Sequence, residues 1–160
     1  MRFWGMALVM LAALWFSRSF AAYVRRRVEE CEGYLALFTF MRGEINCHLR
    51  PVSAWCREFS DPALVASGFL PALTATGSLS GAWETCARAS VLPEEGRRIL
   101  SAYFSSFGRG YREDELKLLE YYTGEWDPLL AKIKQEAPRS MRLLRTLCAS
   151  AAIAAVILLL

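Results

Sequence analysis

The sequence predicts an all-α protein, a helical bundle set between an N-terminal and a C-terminal membrane helix. Three observations carry this expectation. Apolar residues from Val24 to Leu49, and again from Leu116 to Ala137, recur at steps of three and four, the spacing of one helix face. No stretch alternates β-branched and polar residues as a half-buried strand would. Both ends are apolar: Phe3 to Phe16 carries no charge, and none follows Arg145.

The N-terminal segment, 1–24, comes first. A helix rises about 1.5 Å per residue, so roughly 20 residues cross a hydrocarbon core of about 30 Å. Phe3 to Val24 meets that length if Arg18 snorkels to the headgroups. A cleaved export signal is the alternative, because Arg2, the apolar run and the small residues Ser19, Ala21 and Ala22 fit one. Arg25-Arg26-Arg27 argues against it, since clustered positive charge resists translocation. The C-terminal segment, 143–160, is shorter. It reaches spanning length when Leu143 and Leu144 enter the membrane and Arg145 snorkels. A buried core helix is the alternative there.

Charge sets the expected topology. Arg25, Arg26 and Arg27 flank the first segment on its inner side, and Arg139, Arg142 and Arg145 flank the second. Positive flanks remain in the cytoplasm, so the domain of residues 25–142 is expected there, with both termini across the cell membrane. The formal charge of +3 is concentrated beside the membrane. Anionic lipid headgroups are therefore the expected partners of these arginines, and nucleic acid is not.

The middle domain reads as helices throughout. The first continues from the membrane segment to about Arg50, with Val24, Val28, Cys31, Leu35, Phe38, Ile45 and Leu49 as its seam and Met41 filling in. Gly33 and Gly43 each cost about 1 kcal/mol relative to alanine unless they permit close helix approach. Arg25–Glu29 and Arg26–Glu30 have the spacing of surface ion pairs. Pro51 ends this helix and starts a short one to Phe59, with Val52, Trp55 and Phe59 on one face. Asp61-Pro62 is a helix start, and Pro71 is expected to break or kink the helix that follows. Ser78 or Ser80 caps a helix through Trp83 to about Ala89, with Trp83 expected between helices. Pro93-Glu94-Glu95 opens another, its carboxylates favourable in the first turn, and it ends near Gly108-Arg109-Gly110. The last soluble helix starts near Arg112. Its seam of Leu116, Leu119, Thr123, Trp126, Leu130, Ile133 and Ala137 suits antiparallel pairing with the first. Pro128 is expected to kink or divide it, and Pro138 to mark a hinge into the membrane segment.

The residues offer little chemistry. No phosphate-binding glycine loop and no G-x-S-x-G occurs. His48 is the sole histidine, and Cys31, Cys47, Cys56, Cys86 and Cys148 include no C-x-x-C pair. Buried, reduced thiols and a surface histidine are the expectation rather than a zinc site, and no cofactor is expected. The acidic runs at Glu29 to Glu32 and Glu113 to Glu115 read as a solvated face and a helix N-terminus.

Three stretches resemble a known family. Glu44-Ile45 with Pro51-Val52 is similar to an E-I-x-x-x-x-x-P-L pattern. Gly77-Ser78-Leu79-Ser80-Gly81-Ala82-Trp83 is similar to G-x-x-L-x-x-A-W. Phe107-Gly108-Arg109-Gly110 followed by Leu116-Lys117-Leu118-Leu119-Glu120 is similar to L-G-x-x-D-x-x-x-Q-x-x-x-L-E. In this order they resemble stage III sporulation protein AB of endospore-forming bacteria. Tyr111 and Glu115 depart from that pattern, standing where it has aspartate and glutamine, and a capping aspartate is thereby lost. Pro128 and Pro138 fall where the family implies one long helix.

The resemblance implies a component of the channel apparatus joining mother cell and forespore, with a helical domain like that of the F-type platform proteins of type II secretion. By that analogy it docks a cytoplasmic secretion-type ATPase, the stage III sporulation protein AA, on the mother-cell side, alongside other sporulation channel proteins. The expected role is non-catalytic, with no small-molecule substrate. Loop tips held by rigid helices commonly carry binding. Arg109, Tyr111 and Arg112 are therefore the first candidates for partner contact, and Glu44 and Pro51 the next. An exported helical protein with a membrane tail, or a membrane enzyme using His48, are the alternatives.

Overall fold

Two long helices dominate the chain, α1 (Arg2–Cys47) and α7 (Arg112–Leu159). The computed structural model describes residues 2–47 and 52–159, and every regular element among them is a helix. Five short helices lie between the long ones: α2 (Val52–Trp55), α3 (Pro62–Ala66), α4 (Phe69–Thr76), α5 (Leu79–Cys86) and α6 (Glu94–Ser106).

The long helices form an antiparallel hairpin, as their matching seams require. Arg112 donates to the carbonyl of Asn46, Trp126 to that of Cys31, and Lys134 pairs with Glu32 at 2.7 Å. Further down, Ala137 and Met141 lie beside Val24 and Val28. Leu119, Trp126, Leu130 and Ile133 of the expected seam are buried, and Leu129 joins them.

The α1 face is wider than a single seam. Tyr34 and Leu37 are fully buried beside Cys31, Phe38 and Met41, because α1 packs on α7 and on the short helices at once. The Tyr34 ring lies 5.3 Å from Phe69, 5.9 Å from Trp126 and 6.0 Å from Trp83, the three contacts edge-on. Such pairs contribute about 0.5–1.5 kcal/mol each beyond area burial. Trp83 is buried between helices, as its position after the Ser78 turn suggested.

Local capping follows the sequence at two starts. Asp61 accepts hydrogen bonds from Ala63 N at 2.9 Å and Leu64 N at 3.0 Å, with Pro62 in the first turn. Ser78 Oγ accepts from Gly81 N at 3.4 Å. Gly33 permits close approach: a Cβ there would sit 2.7 Å from Asp61 Oδ1. Gly43 meets nothing within 4 Å, so the same reasoning does not apply to it.

Several expectations need correction. The break after α3 falls at Gly68, which adopts φ 85°, and not at Pro71. Pro71 sits in the first turn of α4, where its missing N–H has no intrahelical acceptor to lose. Pro128 and Pro138 do not divide α7, which is one continuous helix. Around Pro128 the buried residues Trp126, Leu129 and Leu130 hold the helix on α1, and packing outweighs the lost hydrogen bond. Glu30 is not on a solvated face. It is buried and accepts from Ser90 Oγ at 2.6 Å and Val91 N at 3.1 Å, satisfying the loop before α6. Arg26 therefore does not pair with it and donates to the Ala66 carbonyl at 3.1 Å. The Arg25–Glu29 pair forms, at 2.7 Å.

Among the described residues no helix is long and apolar enough to cross a membrane. The uncharged run of α1 ends at Arg18 and that of α7 begins after Arg145.

Candidate functional site

The hairpin has two chemically different ends. At the end away from the chain termini, α6 hands over to α7 through Phe107 to Tyr111. Gly108 adopts φ 82°, a left-handed conformation that glycine enters without steric cost. This turns the chain so that its amides point back at α7. Glu115 Oε1 accepts from Gly108 N at 2.9 Å and from Gly110 N at 3.0 Å. The carboxylate thus organises the loop that a capping aspartate at position 111 would otherwise anchor.

Glu115 also lines a groove of about 150 Å³ with Met41, Glu44, Trp55, Phe107 and Arg112. Both carboxylate residues are largely buried, each 8% exposed. Glu115 Oε2 is buried and accepts no hydrogen bond. The Arg112 guanidinium is directed to the Asn46 carbonyl at the C-terminal end of α1, where a cation suits the helix dipole. Behind the groove, Tyr103 donates to Met41 Sδ at 3.9 Å. Burial, and then the charge of Glu115, raise the Tyr103 phenol above its ordinary range, so it stays a neutral donor.

The sequence-predicted residues are distributed over this tip. Glu44 and Arg112 line the same groove. Tyr111 is 86% exposed and Arg109 is also exposed, and both stand on the loop outside the groove. Pro51 and His48 lie outside the described residues. Sequence reasoning gave no contact role of their own to Glu115 and Phe107, which bound the tip segment, and missed Trp55 and Met41. A glycine turn followed by a carboxylate five residues after Gly110 was the available signal for Glu115.

The opposite end carries the arginines. Arg18, Arg25, Ala137 and Met141 share one groove, so the level of Arg25 on α1 meets the level of Arg139 on α7. Arg25, Arg26, Arg139 and Arg142 are exposed there. The hydrogen bond and charge of Glu29 strengthen the hold of Arg25 on its proton. Toward the termini lie exposed Leu11, Leu14, Trp15, Phe16, Leu143 and Leu147. Among the described residues no group of three or more His, Cys, Asp or Glu side chains is placed to hold a metal ion.

The described residues thus form an all-α hairpin with an arginine-rich end and, at the other end, a groove lined by two glutamates. A family model for stage III sporulation protein AB matches residues 2–160. The chain belongs to the stage III sporulation protein AB family and is a sporulation-related protein. No curated protein and no solved structure matches it.

Proposed function

We propose that this protein is a non-catalytic, membrane-anchored component of the stage III channel apparatus, and that its distal tip docks a cytoplasmic secretion-type ATPase. One observation supports the reading above all. The antiparallel hairpin sets the arginines and exposed apolar residues at one end, and the Gly108–Glu115 tip at the other. Arginines beside exposed Trp15, Phe16, Leu143 and Leu147 suit anionic headgroups above an acyl region. Both uncharged ends then enter one membrane, with Arg18 at its surface. The tip projects into the cytoplasm on the mother-cell side. Its partner is an ATPase like stage III sporulation protein AA, within an assembly of other channel proteins.

The test is binding of the purified ATPase to the full chain reconstituted in nanodiscs. Alanine variants at Arg109, Tyr111 and Arg112 are expected to weaken it. Absence of binding to the parent protein would reject the docking role. Equal binding by all three folded variants would move the contact elsewhere.

A further inference from the structure

Large side chains fill the seam at the middle of the hairpin, where Phe38, Trp126, Leu130 and Ile133 are buried. Nearer the termini the facing residues shrink to Ala21, Val24, Val28 and Ala137, with Met141 the one long side chain on α7. Small residues do not fill the space between two helices, and an open groove of about 640 Å³ remains. Arg18 and Arg25 line it and are exposed. They stand two turns apart on one face of α1, about 10 Å along the axis, so both long side chains reach a group lying between them. Ala21 and Ala22 are the small residues between them that leave room for such a group. Among the described lining residues Glu29 is the one carboxylate, and it engages Arg25 through Nε alone, at 2.7 Å. A guanidinium carries five N–H donors, so this pair leaves the terminal amino groups of Arg25 for another acceptor. Below Arg18 the same face of α1 continues through Leu14 and Leu11, both exposed. The groove thus offers cations beside an apolar wall that runs on toward the chain terminus.

We infer that this groove holds one anionic glycerophospholipid, with its phosphate between Arg18 and Arg25 and its acyl chains running along Leu14 and Leu11. The glycerol carbons and first methylenes lie on Ala21, Val24 and Met141. This rests on the membrane-anchored reading and gives it a shaped lipid site, beyond the general attraction of arginines to a charged surface. A second copy of the chain fits less well. A symmetric dimer through this groove would bring Arg18 and Arg25 against their own copies, and like charges oppose it.

The probe is phosphatidylglycerol, added to the delipidated full chain in a neutral detergent, with zwitterionic phosphatidylcholine as the control. Native mass spectrometry counts the lipids retained. One phosphatidylglycerol per chain is expected, at a concentration where phosphatidylcholine is not held. Arg18→Gln removes a cation from an exposed position and should weaken retention about tenfold, as loss of one charge-assisted hydrogen bond does. Ala137→Leu fills the groove from α7 and leaves every charge in place, so it should weaken retention as well. The inference is overturned by a parent chain that holds no lipid, holds both lipids equally, or gains lipids without a plateau. Full retention by a folded Ala137→Leu chain overturns it too, because charge alone would then explain binding. A lipid-free dimer would give the groove to a second copy instead. Flotation of the full chain with phosphatidylcholine vesicles at high salt tests anchoring by itself, since salt screens the arginines. If the chain floats but retains no phosphatidylglycerol in detergent, the groove site is wrong and anchoring stands. If it retains one phosphatidylglycerol but does not float, anchoring is wrong and the groove site stands.

Discussion

The indole Nε1 of Trp126 donates to the backbone carbonyl of Cys31 at 3.0 Å, tying α7 to α1 midway along the hairpin. The ring is fully buried and lies 5.8 Å from Phe38 and 5.9 Å from Tyr34. A buried indole needs an acceptor, and here the opposing helix backbone supplies it. Trp126→Ala should cost about 3–5 kcal/mol, as aromatic truncations in cores do. Trp126→Phe keeps most of the packing and should cost less. Thermal unfolding of the full chain in detergent checks both, and a Phe variant as damaged as the Ala variant would assign the effect to the hydrogen bond.

Gly33 and Gly43 make an opposed pair. Gly33→Ala forces a Cβ toward Asp61 Oδ1, the atom that caps α3, and toward Leu64 Cγ at 3.0 Å. Overpacking of this kind costs about 1–3 kcal/mol. Gly43→Ala meets open space on a helix and should gain up to about 1 kcal/mol. Melting temperatures should therefore move in opposite directions. A shared direction would mean that α1 and α3 do not touch at Gly33.

Trp83→Ala should cost about 3–5 kcal/mol. The ring is 5% exposed and lies 6.0 Å from Tyr34 and 6.2 Å from Phe104. Unchanged melting would place Trp83 on the surface and make it a candidate for partner contact.

The helices and their pairing were legible because periodicity is a local signal that tertiary packing reuses. The seam around Leu119, Trp126 and Ile133 faces α1 as its spacing implied. Asp61 and Ser78 were legible as caps because a cap is written within three residues. Glu30 and Glu115 were not legible. Each serves a backbone N–H on a neighbouring loop, and nothing in an acidic run says which carboxylate turns inward. Pro128 fails to divide α7 for the converse reason. Its local cost is real, but the buried neighbours Trp126, Leu129 and Leu130 hold the helix through it. Arg112 was legible as the start of α7, whereas its use on the Asn46 carbonyl depends on a residue 66 positions away in sequence.

Alkaline pH should destabilise the domain through its thiols. Burial, and then the charge of Glu30, push the Cys31 thiol from 9.0 up to about 12, and the same causes push Cys86 up to about 11. The unfolded chain releases these protons first. The stabilisation is therefore complete below pH 9 and is lost as pH rises toward 11 and 12. Unfolding midpoints should hold steady with respect to these thiols up to pH 9 and fall above it. A Cys31→Ala, Cys86→Ala double variant should show a shallower fall. An unchanged slope would assign the alkaline loss to other groups, such as Tyr34 and Tyr103, whose phenols are also raised by burial.

The side of the membrane on which the tip lies is read best through Cys47. Cys31, Cys56 and Cys86 are buried, so the folded protein protects them on either side of a membrane. Cys47 is exposed at the end of α1, close to the Asn46 carbonyl that Arg112 engages. With Cys148→Ser removing the thiol near the C-terminal end, Cys47 becomes the reporter of the tip. In sealed right-side-out cells a membrane-impermeant thiol reagent should leave it unmodified if, as proposed, the arginine flanks keep the domain in the cytoplasm. After lysis without denaturant, Cys47 should be modified while the three buried thiols stay protected. Denaturation should then expose all four. Modification of Cys47 before lysis would reject the cytoplasmic placement and, with it, contact with a cytoplasmic ATPase. A Cys47 that resists even after lysis would mean that the tip is already covered, and copurifying protein at the tip would then identify the partner directly.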